Sequence, residues 1–324
     1  MGPWKSRIAL LVLAAAALPA LAQPAPYPSR PIKWVVPYTP GGITDSVTRV
    51  VAQRLQDVLG QTIVIENKPG ANSIVGADVV AKSPADGYSV LTVIAAHAAN
   101  ATLYAGKLPF DPVKSFSPVS LVATAPLILC VNNDFPVKDA RELLAYAKAN
   151  PGKISYATSG IGSASHLTTE LLQQTAGVSM VHIPYKGTGP GLQALMAGDV
   201  QMMVDVPSSM MPQVRAGKIR AIGLFASKRT PSAAEVPTLA ETGGPAIDGS
   251  TWVMFVTPAG TPREIVARLS TEVGKIMSAP ELRTRFEQLG IEPLGTNSAD
   301  AARFLDEEIA KWAKVITAAG VKAE

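Results

Sequence analysis

A chain of 324 residues that is 47% hydrophobic and 17% charged can bury a substantial core, and it has room for one large domain or two lobes. The formal charge of +4 falls to +2 when Lys5 and Arg7 are set aside with the N-terminal leader, a surplus too small and dispersed to point to nucleic acid. The single cysteine, Cys130, excludes a disulfide-stapled scaffold and a structural zinc site of the cysteine type, and it falls in an apolar run that reads as a buried strand.

The chain opens with Lys5 and Arg7, an apolar run from Ile8 to Leu18, and Ala20-Leu21-Ala22, the pattern of an export signal cleaved near Ala22. The run is short for a membrane span, and prolines 24, 26 and 28 follow it. The mature chain is therefore expected outside the cytoplasm, in the periplasm. Its first element is an extended apolar segment, Ile32–Val36, which runs through the turn Pro40-Gly41-Gly42-Ile43-Thr44-Asp45 into a helical pattern over 45–59 that Gly60 closes. A strand over 62–66, a turn over 67–72, a short helix over 74–82 and a strand over 88–93 come next. Two strand-like runs between Phe116 and Val131 break at Ala125-Pro126.

A helix over 138–149 leads to a second unit built like the first: Ile154–Ala157, the turn Thr158-Ser159-Gly160-Ile161-Gly162-Ser163, and a helix that contains His166. The strand Val181–Tyr185 enters Lys186-Gly187-Thr188-Gly189-Pro190-Gly191, with a helix over 192–197 and strands over 200–206 and 219–225 beyond it. The last section holds a strand over 251–256 and helices over 262–277, 279–289 and 299–318. Alternating strands and helices predict an α/β fold with two mostly parallel sheets. No linker separates two domains, so lobes joined by crossing strands are expected, with crossings near 122–124 and 224–226. Lobe 1 is then 23–123 with 225–324, and lobe 2 is 124–224.

A strand, a glycine turn and a helix leave free backbone N–H groups at the helix N-terminus, a site suited to an anion. Two such units point to two lobes closing on one small anionic ligand. From the residues alone the candidates are Gly41, Gly42 and Asp45 in the first loop, and Ser159, Ser163 and His166 in the second. Tyr185 and Lys186, after a strand end, are candidates to close the pocket, and Asp205 at the end of the 200–206 strand is a candidate at its mouth. Asp45 also reads as a first-turn carboxylate held by the helix dipole. His97 and His182 lie in apolar settings and read as core or rim residues.

Five segments in order resemble the Bug (TctC-like) solute receptors of tripartite tricarboxylate transporters: Tyr38–Asp45, Asn67–Ser73, Ser83–Tyr88, Ser159–Leu167 and His182–Gly187. The resemblance covers essentially the whole mature chain. It implies a two-lobed fold of the periplasmic-binding-protein type II, a small carboxylate in the cleft gripped largely by backbone amides and waters, and delivery to a membrane permease. Carried over to this sequence, the gripping loops are Tyr38, Thr39, Gly41, Gly42 and Asp45 on one side and Thr158, Ser159, Gly160, Gly162, Ser163 and His166 on the other, with Tyr185, Lys186, Gly187 and Thr188 lining the same mouth. It implies no cofactor and no catalysis. At Asn72-Ser73-Ile74 many relatives carry paired glycines, so the side chains here are expected to narrow the pocket.

Two other readings stay open at this point. Ser159 or Ser163 with His166 and Asp205 supplies the side-chain types of a serine hydrolase, although no Gly-x-Ser-x-Gly elbow presents the serine. A receptor that feeds a membrane sensor instead of a transporter would have the same sequence features. The scattered histidines make no metal motif, and Gly187–Gly191 is neither a dinucleotide fingerprint nor a phosphate loop.

Overall fold

The computed structural model describes residues 27–288 and 290–323, so the proposed export signal lies outside the described residues. The chain forms two sheets. The first contains β1 (Ile32–Val36), β2 (Ile63–Asn67), β3 (Ser89–Ile94), β4 (Phe116–Pro126), β10 (Ser250–Pro258) and β11 (Glu292–Pro293), in the order β11-β4-β10-β3-β1-β2. The second contains β5 (Ile128–Asn132), β6 (Ser155–Thr158), β7 (Val181–Pro184), β8 (Met202–Asp205) and β9 (Ile219–Leu224), in the order β7-β6-β8-β5-β9. Four pairings are parallel and five antiparallel, so the sheets are mixed where mostly parallel ones were expected. The antiparallel partners are the strands next to the crossings, which run back against the parallel set.

Each parallel strand passes directly into a helix. β1, β2 and β3 lead to α1 (Ile43–Leu59), α2 (Ile74–Ala81) and α3 (Ala95–Leu103). In the second sheet, where α4 (Ala140–Ala149) precedes β6, the strands β6, β7 and β8 lead to α5 (Ala164–Ala176), α6 (Thr188–Ala197) and α7 (Pro207–Arg215). The N-termini of α1–α3 therefore gather at the carboxyl edge of one sheet, and those of α5–α7 at the carboxyl edge of the other. Such edges are where open α/β sheets take their ligands. The C-terminal section adds α8 (Arg263–Met277), α9 (Pro280–Gln288) and α10 (Ser298–Ala319) to the first sheet.

Two helices were not anticipated. α3 follows β3 with no turn residue between, so its alanine-rich sequence reads as a continuation of the apolar run. α7 opens on Pro207, which suits a first helical position, but carries a second proline, Pro212, inside the helix. α6 begins four residues earlier than expected, taking in the glycine- and proline-rich segment 188–191.

The chain leaves the first sheet at Pro126 and enters the second at Ile128, so the first crossing falls at Leu127, a few residues beyond the expected position. The second crossing is displaced further. Residues 226–247 stay with the second sheet: Leu239 donates to the Leu224 carbonyl, and Leu239 and Ile247 share a core with Leu129, Val131 and Phe225. The return to the first sheet comes at Gly249. There Leu127 N donates to Gly249 O, Gly249 N to Phe225 O, and Phe225 N to Leu127 O, at 2.9, 3.1 and 2.9 Å. This closed ring of backbone bonds fastens the crossing segments together. Among the described residues, no helix is long and apolar enough to cross a membrane.

Two apolar clusters line the faces of each sheet. The first sheet packs Trp34 and Phe255 edge to face, with Val47, Val51 and Leu55 of α1 against them. Its other face packs Trp252, Met254, Leu305 and Trp312, and α5 contributes Leu167 to this cluster although α5 follows a strand of the second sheet. Trp252 and Trp312 both donate their indole N–H to the buried carboxylate of Glu308, fixing α10 to the sheet. His97 is buried on α3, its Nε2 2.9 Å from the Pro112 carbonyl and its ring beside Phe110 and Phe116.

Burial holds the His97 ring neutral by pulling its pKa down to about 4. The unfolded chain takes a proton at about 6.5, so stability is complete above that value and is lost as the pH falls toward 4. Acidification from pH 7 to pH 4 is expected to lower the unfolding free energy by roughly 3 kcal/mol through His97 alone. His97→Gln, which keeps a donor for Pro112, should flatten that part of the profile in urea titrations. An unchanged slope in this variant would remove His97 as its source.

Candidate functional site

The first loop follows β1. Thr39, Gly41 and Gly42 are exposed, and Gly42 caps α1 with extended backbone and no side-chain hydrogen bond to the first turn. The amides of Ile43 and Thr44 therefore have no capping acceptor. Asp45, expected at the ligand, is turned inward. Its carboxylate accepts from Gly41 N (3.0 Å), Arg49 Nε (2.9 Å) and Asn67 Nδ2 (2.9 Å). These donors hold its pKa down at about 2, with the Arg49 bond the largest cause. Asp45 thus clamps the loop from below in the manner of a capping-box residue, and Arg49 is neutralised by it. Asn67 also donates to the Tyr38 carbonyl at 3.0 Å, joining this loop to the end of β2. Tyr38 is half-buried, with its hydroxyl inside the protein beside Ser73 Oγ. Neither oxygen has a hydrogen-bond partner among the described residues, and burial raises the phenol pKa.

The turn after β2 bears Asn72 and Ser73, expected to narrow the pocket. Ala71, Asn72 and Ser73 all have positive φ (44°, 49° and 76°), a conformation that costs non-glycine residues energy. Asn72 and the buried Asn100 of α3 hold the turn through reciprocal bonds: Asn72 Nδ2 to Asn100 Oδ1 at 3.0 Å, and Asn100 Nδ2 to Asn72 O at 2.8 Å.

The second loop, after β6, meets this turn. A Cβ built on Gly162 would stand 3.4 Å from Asn72 Nδ2 and 2.5 Å from Leu103 Cδ1. Loops of the two sheets are thus apposed, with glycine at their closest approach. The second loop differs from the open cradle of amides expected there. Gly160 N donates to Thr158 Oγ1 (3.2 Å), Gly162 N to His166 Nδ1 (3.1 Å), and Ser159 N to Ser165 Oγ (3.1 Å). The Ser163 hydroxyl donates to Gly160 O at 2.6 Å, and its oxygen caps His166 N. Gly160, Gly162, Ser163 and Thr158 therefore shape the loop instead of presenting donors. The first-turn amides of Ala164 and Ser165 have no acceptor among the described residues, a pair that sequence reading missed because the cap residue drew attention away from what lies inside it.

His166 is buried under the loop, with Nδ1 engaged by Gly162 N. Asp205 is buried too, accepting from Thr188 Oγ1 (2.9 Å) and Val206 N (2.8 Å), and burial pushes it up to about 6. Tyr185 is half-buried next to Gly160, whose built Cβ would lie 3.6 Å from its carbonyl, while Lys186 is exposed. Gly187 caps α6 without a side-chain bond, leaving the Thr188 and Gly189 amides at the same edge. Among the described residues, Ser163, His166 and Asp205 do not form a hydrolytic triad. The Ser163 proton is committed to Gly160 O, His166 Nδ1 accepts from a backbone amide, and Asp205 bonds Thr188 and Val206 in place of a histidine.

Two α/β sheets with apposed helix-start loops are the architecture in which solute-binding receptors are built. Sequence comparison makes this specific: the family model described as tripartite tricarboxylate transporter family receptor (TctC) matches residues 47–321, and the chain belongs to that family. BugT of Bordetella pertussis is 35% identical over 301 residues, covering 91% of each chain. Among solved structures, the R. palustris protein Rpa4515 with adipate superposes with a TM-score of 0.82 at 36% identity, covering 91% of this chain and 99% of that one. MatC from Rhodopseudomonas palustris with bound malate gives 0.77 at 34%, covering 90% and 100%. Members of this family are solute receptors, not enzymes.

The contact between the loops is open to test. Gly162 has φ +74°, so Gly162→Ala is expected to destabilise by about 1 kcal/mol from backbone strain, with a further cost from the Leu103 clash. Leu103→Ala in the same chain should recover the steric part, giving a coupling of about 1 kcal/mol in a double-mutant cycle by urea unfolding. Strict additivity would show that the second loop does not touch the end of α3 at Leu103.

Proposed function

We propose that this protein is an extracytoplasmic receptor that captures a small carboxylate between the two sheets and delivers it to the membrane permease of a tripartite transporter. The observation that carries the reading is that α1 and α6 start without side-chain caps and the first turn of α5 is free, while the β6–α5 loop meets the β2–α2 turn at Gly162. Helix N-termini carry partial positive charge and unpaired donors, so a carboxylate is favoured there without a fixed cation. Arg49 is bound to Asp45 and Lys186 lies at the exposed rim, which leaves the amides as the main source of attraction. Adipate in one similar structure and malate in another support a carboxylate of dicarboxylic type as cargo.

On this reading the contacts come from Tyr38, Thr39, Gly42 and the first turn of α1 on one side, and from Ser159, the first turn of α5, Tyr185, Gly187 and Thr188 on the other. The two lobes divide at Leu127 and Gly249, and an anion that touches both favours the shut cleft. Export by a signal cleaved near Ala22 would place the receptor in the periplasm, where the family's permeases collect their solutes.

Thermal-shift measurements against mono-, di- and tricarboxylates are expected to give a concentration-dependent rise in melting temperature for at least one dicarboxylate. Gly42 has ordinary backbone angles and free space around a built Cβ, so substitution there is tolerated. Gly42→Asp places a carboxylate on the amides meant for the ligand. It should bind the ligand at least tenfold more weakly, about 1.4 kcal/mol, without melting lower, whereas Gly42→Ala binds as the parent does. Undiminished affinity in Gly42→Asp would place the ligand elsewhere.

A further inference from the structure

Beneath the second loop two histidines stack face to face, His166 of α5 on His182 of β7, with ring centroids 3.8 Å apart and planes 12° from parallel. The far side of His182 rests on Tyr156 at 5.1 Å. Their hydrogen bonds fix both tautomers. Gly162 N donates to His166 Nδ1, so the His166 proton is on Nε2, which faces the Glu170 carboxylate at 3.8 Å. That carboxylate oxygen already accepts from the Tyr156 hydroxyl and from Gln173 Nε2. Thr158 Oγ1 accepts from Gly160 N, and its own proton goes to His182 Nε2 at 2.7 Å, since its other acceptor, Gly160 O, is distant at 3.4 Å. His182 is then protonated on Nδ1. Each ring thus turns a lone pair toward the loop.

We propose that His166 and His182 are positioning residues for the ligand loop, two neutral imidazoles that draw the Gly162 amide (directly) and the Gly160 amide (through Thr158) away from the cleft. They thereby decide which amides remain for the ligand, namely those of the first turn of α5. The inference rests on the receptor reading for its ligand, but the lock itself is a property of the free protein. A protonated His166 would present N–H to the Gly162 amide, itself only a donor, so the uncharged ring alone can hold that amide. Burial keeps both rings in that state, with His182 also opposing a charge on His166. Glu170 is the one carboxylate placed against the pair, and its bonds to Tyr156 and Gln173 direct it along the edge of the stack.

Nitrogen-15 NMR of the ligand-free protein at pH 7 is expected to show His166 with its proton on Nε2 and His182 with its proton on Nδ1. In His166→Phe, which keeps a stacking ring but has no acceptor, exchange of the Gly162 amide should speed up at least tenfold. His166→Asn, which restores an acceptor near Nδ1, should return exchange to within threefold of the parent. With adipate and malate as probes, His166→Phe should bind at least tenfold more weakly and His166→Asn close to normally. The opposite tautomers, or unchanged Gly162 exchange in His166→Phe, would overturn the lock. Full affinity in His166→Phe would overturn its bearing on the ligand. If the parent binds no carboxylate yet shows the stated tautomers and exchange, the lock stands and the receptor reading falls.

Discussion

The structure depends on one constraint: a parallel strand must be followed by a helix that starts at the strand's carboxyl end. Repeated three times in each half, this rule sends six helix N-termini to two sheet edges. An N-terminus carries about half a positive charge and amides that no helix bond can use. The carboxylate of Asp45, the side-chain cation nearest to it (Arg49) and the buried Asp205 are all paired within the protein. What such an edge offers an anion is therefore backbone, and its selectivity follows from where the amides are held more than from which side chains are present.

Holding them is the work of side chains below the loops. Asp45 binds Gly41 and Asn67, Asn100 binds Asn72, and the stacked histidines bind the second loop from underneath. Each uses its polar atoms inward. A loop already fixed in its binding shape loses little conformational entropy when a ligand arrives, so more of each hydrogen bond appears as affinity. The three consecutive residues with positive φ, Ala71 to Ser73, fit the same logic: the strain is retained because Asn100 and the neighbouring turn over-determine the backbone.

Much of this was legible in the sequence. The two strand–glycine–helix units, most helix ends and the family resemblance could be read because they rest on local signals: period, glycine placement and capping residues. The misreadings share a cause. His166, Asp205, Thr158 and Ser163 have the residue types of a binding site, and only their tertiary partners show that their polar atoms are already engaged. Asp45 was read with two competing roles, and its hydrogen bonds to Gly41, Arg49 and Asn67 show the structural one. α3 and α7 were missed because one lacks a boundary signal and the other carries a proline that normally ends a helix. The segment 226–247 looked like part of the first lobe because the strand before it was expected to cross. Gly223 instead lets the chain double back, since a built Cβ there would stand 2.9 Å from the Leu239 side chain.

The connection between the halves limits how they can move. Leu127, Phe225 and Gly249 close a ring of three backbone bonds at the crossing, and Gly249 is pressed against Thr168 of α5, where a built Cβ would lie 2.4 Å from Cγ2. α5 belongs to the second sheet by sequence, yet it sends Leu167 into the core of the first, and Gln174 donates to the Val315 carbonyl of α10. The helix that begins at the ligand loop is thus also the surface on which the halves bear against each other. A hinge at the crossing alone would have to tear Leu167 out of a packed core. Rotation about α5 preserves that burial, and it keeps the first turn of α5 near the axis while the first loop and the mouth residues of β7 travel further. An anion seated on α5 would then mark the fixed point of the motion, and the other loops would supply the hydrogen bonds that form only when the cleft shuts.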